Sequence, residues 1–213
     1  MVKKTRIVPV DTSKIESPKI QEISQVLMEN GVIVCPTDTF YGLGASCFSI
    51  PAVKEIYALK GRDADKPLSV VVSDRDMLDR VAFPPSNKFD SLLARLWPGP
   101  LTVILEASAD LPQELLGRRR TIGVRLPDFS WLRHLIRSTG FPLTATSANL
   151  TGLPEISDSA EAIDVFDGKV DLIVDSGRTT GGSASTVIDL TAENPVILRE
   201  GAVPTEIIHK LLE

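Results

Sequence analysis

Helix-type and strand-type patterns alternate along the whole chain, and that alternation is what most restricts the fold. Val32-Ile33-Val34-Cys35 is a continuous apolar run too short for a helix, the pattern of a strand covered on both faces. Before it, Ile20, Ile23, Val26 and Leu27 recur at helical spacing, with Ser17 placed as cap, Pro18 as first helical residue and Gly31 at the end. The same reasoning predicts a helix over Pro51–Lys60 stopped by Gly61, a strand over Leu68–Val72 and a short helix over Asp76–Val81. A helix over Asn87–Leu96 halts at Trp97-Pro98-Gly99-Pro100. Strands follow at Leu101–Leu105, Thr121–Leu126 and Leu143–Thr146, with a helix Phe129–Ser138 closed by Gly140. The tail reads as strands Asp171–Asp175, Ser185–Leu190 and Val196–Arg199, then a helix Glu206–Leu212. Interleaved elements of both kinds predict an α/β sheet with helices packed on it. The late strands are too closely spaced for crossover helices between them, so the sheet should be mixed.

With 43% hydrophobic and 24% charged residues, the chain can bury a core, which excludes intrinsic disorder. At 213 residues, with no repeat, it reads as one domain over 1–213. The small, polar stretches Thr151–Ser159 and Gly177–Ser185 are too short to be linkers. Cys35 and Cys47 are the only cysteines and His134 and His209 the only histidines, so neither a disulfide framework nor a zinc site is expected. The basic start, Met1 to Arg6, is followed only by Ile7-Val8-Pro9-Val10, too short for the core of a signal peptide. No apolar run approaches the roughly 18 residues of a membrane span, so the reading is a cytoplasmic protein without a membrane partner. Acidic residues number 28 against 23 basic ones, a net charge of −5 that disfavours a general grip on nucleic acid but allows a local basic cleft.

Four stretches could carry chemistry. Pro36-Thr37-Asp38-Thr39-Phe40-Tyr41-Gly42-Leu43-Gly44 follows a buried strand, where open α/β sheets place ligands; a turn held by threonine hydroxyls explains the spacing equally well. Lys60-Gly61-Arg62, with Lys66 close by, either complements a helix C-terminus or aims cations into a cleft. In Thr121-Ile122-Gly123-Val124-Arg125-Leu126, alternation puts Thr121, Gly123 and Arg125 on one face, where the arginine is either solvated or in need of an acid or an anionic ligand. Thr144-Ala145-Thr146-Ser147-Ala148-Asn149 and Ser185-Thr186 offer small hydroxyl and amide side chains, which a sheet end or a helix cap would also explain. Several motifs are missing: no phosphate-binding G-x-x-x-x-G-K-[ST], no G-x-G-x-x-G after a strand and no G-x-S-x-G. His134 and His209 lie in helical patterns and are assigned to structure, and Arg118-Arg119-Arg120 to an exposed loop.

Taken together, these segments resemble the YrdC family of threonylcarbamoyl-AMP synthases. The match runs through Pro36-Thr37-Asp38-Thr39, Tyr41-Gly42-Leu43-Gly44, Lys60-Gly61-Arg62 with Lys66-Pro67-Leu68, Trp97 to Thr102, Thr121 to Leu126, Ser147-Ala148-Asn149, Ser185-Thr186 and Arg199-Glu200-Gly201, over about residues 18–201. The resemblance implies a twisted mixed sheet around a concave, locally positive cavity, in a single-domain member of the family. It also implies the reaction of ATP, L-threonine and bicarbonate to threonylcarbamoyl-AMP and pyrophosphate, with Mg²⁺ accompanying ATP. The product would feed N6-threonylcarbamoyl modification at position 37 of tRNA through downstream transfer proteins. By motif, Thr39 and Arg125 would touch threonine with Ser185 and Thr186 nearby. Lys60, Arg62, Lys66, Thr121, Ala145, Ser147, Asn149 and Arg199 would line the ATP side, with Lys60 and Arg62 as the catalytic cations. Departures are Val71, where many members carry histidine, Asp63, where many have proline, and Glu155, near a common serine. The rival readings are a double-stranded RNA or tRNA-binding module and a same-fold paralogue with another nucleotide reaction.

Overall fold

The computed structural model describes residues 3–83 and 87–212. The first half runs β1 (Arg6–Pro9), α1 (Ser17–Met28), β2 (Ile33–Pro36), β3 (Tyr41–Gly44), α2 (Ile50–Lys60) and β4 (Ser69–Val71). Then come α3 (Asp90–Leu96), β5 (Leu101–Glu106), α4 (Gln113–Leu116), β6 (Thr121–Arg125), α5 (Ser130–Thr139) and β7 (Leu143–Ser147). The chain closes with α6 (Ser159–Phe166), β8 (Leu172–Asp175), β9 (Thr186–Asp189), β10 (Val196–Arg199) and α7 (Thr205–Leu212). Local chemistry accounts for the boundaries. Ser49 accepts the Ala52 N–H as the cap of α2, and Gly61 ends that helix in the left-handed region at φ 56°.

Among the described residues the strands form one mixed sheet in the order β1-β8-β2-β3-β7-β4-β6-β5-β9-β10. β1 and β2 flank β8 in parallel, β4 pairs parallel to β6 and β5 to β9, and the remaining pairs are antiparallel. Register decides what shares a face. Leu143, Val71, Arg125, Thr102, Val187 and Arg199 are successive Cα partners across β7, β4, β6, β5, β9 and β10. Directly opposed residues project to the same side, so one pleat carries two arginines across six strands. On β6, Thr121, Gly123 and Arg125 are half-buried on that side, while Ile122 and Val124 are fully buried on the other. Helix α5 puts Trp131, Leu132, Leu135 and Ile136 into the core and packs on α1.

Several boundaries differ from the sequence reading. Ser17 is inside α1; the cap is Glu16, with no side-chain hydrogen bond, because Pro18 fixes the first turn without one. The helix expected over Asp76–Val81 shrinks to a 3₁₀ turn, Leu78–Arg80, preceded by Asp74 accepting the Met77 N–H. Tyr41–Gly44, expected within a turn or ligand-bordering stretch after the buried strand, is the strand β3, paired residue for residue with β2. β1, α4 and α6 have no counterpart among the elements expected from sequence, although Asp158 caps α6 by accepting from Ala160 N–H. No helix among the described residues is long and apolar enough to cross a membrane.

The motif Arg199-Glu200-Gly201 folds back against the start of β9. A Cβ on Gly201 would lie 2.1 Å from the Ala184 carbonyl oxygen and 2.7 Å from the Ser185 carbonyl carbon, both backbone. Gly201→Ala is therefore expected to cost about 1–3 kcal/mol, seen as a lowered Tm in calorimetry. An unchanged Tm would mean that this chain crossing can open without penalty.

Candidate functional site

The pleat of six partners floors a cavity of about 280 Å³, walled by the Thr37–Gly44 segment, the end of β7, and Ala184 and Ser185. Its charged lining is Arg62, Arg125 and Arg199 against Asp38 and Glu155, an excess of one positive charge. Arg125 is the deepest of them, its side chain 11% exposed. The guanidinium donates through Nε to the Gly99 carbonyl at 3.1 Å and through Nη2 to Asp38 Oδ2 at 2.5 Å. Both supports come from motifs. The Trp97-Pro98 peptide is cis, and Trp97 donates its indole N–H to the Leu101 carbonyl.

The turn after β2 holds the acid. Thr37 Oγ1 donates to the Phe40 carbonyl and accepts the Thr39 N–H, so Asp38 sits at the tip of a closed loop. That proton assignment makes Thr39 the donor in the 3.2 Å contact between the two threonine hydroxyls. The glycine-rich segment fastens the loop from outside: Thr180 donates to the Asp38 carbonyl and Gly181 N–H to the Thr39 carbonyl. The two readings left open by spacing are thus both realised, a threonine-bonded turn that also borders the cavity. Asp38 was not singled out from sequence, although Arg125 in an apolar strand pattern signalled that an acid was near.

Lys60 is only 4% exposed. Its ammonium donates to the Ser147 carbonyl at 2.5 Å, the Asn149 carbonyl at 3.0 Å and Asn149 Oδ1 at 2.9 Å. Ser147 Oγ also donates to Asn149 Oδ1, and Thr151 N–H returns to the Lys60 carbonyl. The lysine therefore ties the end of α2 to the loop after β7, and it does not line the cavity. Arg62 does, while donating to the Lys66 and Pro67 carbonyls. Burial, then the neighbouring Arg62 charge, push the Lys60 ammonium down to about 8, with Glu155 opposing.

Of the residues singled out from sequence, Thr39, Arg62, Arg125, Ala145, Ser147, Ser185 and Arg199 border the cavity. Thr186 does not: it is fully buried, its hydroxyl donating to the Val203 carbonyl and accepting the Gly201 and Val203 N–H groups. Thr121 stands on the cavity face of β6 but away from the lining, Lys66 is exposed, and Asn149 turns its amide to Lys60 and Leu153. Ser185 Oγ meets Thr102 Oγ1 at 2.8 Å, and Arg199 donates to the Ser185 carbonyl, which joins the two wall segments. Val71, at the position where histidine is frequent, contributes an apolar floor. Cys35 borders the cavity too, but burial pushes its thiol up to about 12, so it stays protonated at neutral pH and is no nucleophile.

The family model Sua5/YciO/YrdC, described as telomere recombination, matches residues 25–201. The chain belongs to this family. A threonylcarbamoyl-AMP synthase of Pyrococcus abyssi is 38% identical over 199 residues, covering 93% of this chain and 58% of the relative. One from Bacillus subtilis is 37% identical over 203 residues, covering 95% and 59%. The chain thus spans just under three-fifths of the length of these two relatives. The crystal structure of P. abyssi Sua5 complexed with L-threonine superposes with a TM-score of 0.92 at 38% identity, covering 97% of this chain and 61% of that one. The YrdC-like fold expected from the motifs is the fold observed.

Lys60 gives a pH test of the clamp. Between about pH 8 and 10.5 the folded side chain is neutral while the unfolded one is still protonated. The unfolded state then binds more protons, so this group makes stability rise with pH across that window. Lys60→Met removes the contribution. The Tm of the parent relative to that of Lys60→Met is expected to climb from about pH 7.5 to about 9.5, followed by calorimetry; a flat difference would show an ordinary, solvated lysine.

Proposed function

We propose that the chain is an L-threonylcarbamoyladenylate synthase, a nucleotidyltransferase converting ATP, L-threonine and bicarbonate to threonylcarbamoyl-AMP and pyrophosphate. The product would serve N6-threonylcarbamoyl modification of tRNA at position 37. The observation that carries this reading is Arg125: a guanidinium on the cavity floor, its side chain only 11% exposed, held by Gly99 and Asp38 on one side and bordering the cavity. A planar fork of that kind suits a carboxylate. The names and high coverage of the relatives support the same reading.

In this reaction the amine nitrogen of threonine forms a bond to the carbon of bicarbonate, water leaves, and a carbamate results. A carbamate oxygen then attacks the α-phosphorus; the bond from that phosphorus to the bridging oxygen breaks, and pyrophosphate carries away the electron pair. Two anions must meet and a third must leave, so positioning and neutralisation are the main demands. Arg125, Thr39 and Ser185 are assigned to the threonine end. Arg62 and Arg199 are assigned to the phosphates, with Ala145, Ser147, Asn149, Thr121 and Lys66 on the ATP side. Lys60 acts here as a positioning residue, fixing the Ser147–Asn149 loop. Mg²⁺ would arrive with ATP and screen its phosphates; the cavity's carboxylates are Asp38, already on Arg125, and Glu155, so the nucleotide supplies most of its ligands. The mixed anhydride hydrolyses readily, which calls for downstream tRNA threonylcarbamoyl-transfer proteins in the same compartment, the cytoplasm.

Pyrophosphate release is expected to require threonine and bicarbonate in addition to Mg²⁺ and ATP, measured by a coupled phosphate assay. Release indifferent to threonine would overturn the reading. Arg125→Lys keeps the charge but loses the fork, so threonine affinity should fall about tenfold or more while ATP affinity holds. Equal loss of both would place Arg125 elsewhere in the reaction.

A further inference from the structure

We propose that the paired hydroxyls of Thr102 and Ser185 bind the bicarbonate anion and then the carbamate made from it, with Thr102 fixing the pair in place. The inference rests on the reading that the cavity joins threonine, bicarbonate and ATP. It gives a place to bicarbonate, the substrate to which that reading assigns no residue.

The position follows from register. Arg125, Thr102, Val187 and Arg199 are successive Cα partners on β6, β5, β9 and β10, three strand spacings or roughly 14 Å of sheet. Arg125 is assigned to the threonine carboxylate and Arg199 to the phosphates, one at each end of that row. The carbamate has to connect the amine of threonine to the α-phosphorus, so its carbon belongs between the two arginines. Val187 in that interval is apolar. Thr102 and Ser185, which lies two residues before Val187 and so on the same side of the chain, supply the hydroxyls, and both border the cavity.

Thr102 is held from two directions. Its methyl group lies over Gly123, 3.3 Å from where a Cβ would stand, and its Oγ1 meets Ser185 Oγ at 2.8 Å. A β-branched side chain has few rotamers, so seating the methyl over Gly123 aims the hydroxyl at Ser185. Arg199 Nη2 also donates to Ser185 Oγ, at 3.3 Å. The two hydroxyls own two protons, their contact uses one, and Arg199 brings a donor rather than an acceptor. Whichever hydroxyl donates to the other, one proton has no acceptor among the described residues and is left for an oxygen in the cavity.

A small oxyanion suits this arrangement. The flanking arginines supply the attraction, and the hydroxyl pair supplies a directional bond to one oxygen. In the carbamate that leaves the second oxygen for the phosphorus. A neutral donor also fits the chemistry better than a third cation would. A full ion pair to the carbamate would lower the ground state along with the transition state and gain nothing in rate.

The test is pyrophosphate release by the full chain in CO2-depleted buffer, with bicarbonate, threonine and ATP each varied in turn. Thr102→Val removes the hydroxyl at nearly the same volume. It is expected to raise the KM for bicarbonate about tenfold or more, with those for threonine and ATP within about twofold of the parent. Thr102→Ser keeps the hydroxyl and should restore most of the bicarbonate affinity. An unchanged bicarbonate KM in Thr102→Val, or an equal rise for all three substrates, would overturn the proposal. So would a Thr102→Ser variant as weak as Thr102→Val, since packing alone would then explain the loss. If Thr102→Val does not fold, Ser185→Ala decides: a raised bicarbonate KM supports the pair, and a raised threonine KM beside a parental bicarbonate KM overturns it. Release by the parent separates the two levels. If it depends on threonine and bicarbonate while the variants leave the bicarbonate KM alone, this inference alone fails; if it ignores both, the proposed reaction fails with it.

Discussion

A guanidinium placed on an interior position of a β-sheet is costly unless its hydrogen bonds and its charge are met. Arg125 is such a group, and much of the surrounding architecture answers it. The Trp97-Pro98-Gly99 turn delivers a carbonyl to its Nε, and the threonine-closed loop after β2 delivers the Asp38 carboxylate. The glycine-rich strap then pins that loop through Thr180 and Gly181. Segments far apart in sequence are held to one point by the need to solvate one buried charge. The same placement leaves Arg125 on the floor of the cavity.

The second buried cation solves a different problem. Lys60 ends α2, where a positive charge already suits the helix dipole, and its ammonium binds three oxygens of the loop after β7. A side chain without N–H donors would leave those oxygens unpaired. Lys60 and the Ser147-Ala148-Asn149 segment are therefore mechanically one unit: the lysine sets the loop, and Ser147 borders the cavity. Arg62, one glycine further on, lines the cavity itself.

Much of the fold was legible because its signals are local. Gly61 after a helical run and the apolar block Val32–Cys35 each gave a correct element, since backbone conformation and burial on both faces leave marks on neighbouring residues. β3 was not legible, because Tyr41-Gly42-Leu43-Gly44 contains two glycines and becomes a strand only through pairing with β2 and β7. β1 escaped for a related reason: Arg6–Pro9 is four residues long, buries only Val8 and is held by β8, more than a hundred and fifty residues away. Within the site, Arg125 declared itself as a charge in an apolar pattern. Thr186 looked equally suited to a ligand, yet its hydroxyl closes the Gly201–Val203 turn, a contact invisible in the spacing of Ser185-Thr186.

By itself the sequence determined the interleaved elements, the two-faced character of β6, and a set of motifs that specify the YrdC-like family. These depend on residue type and short-range order, which any segment carries with it. Tertiary structure alone decided which motif residues face the cavity and which hold it in shape. Strand register aligned Arg125, Thr102, Val187 and Arg199 on one pleat, and loop closure brought Asp38 to Arg125. Charge pairing acts through space between segments whose separation along the chain is arbitrary, so only the folded molecule could say that Asp38, and not another of its many carboxylates, completes the site.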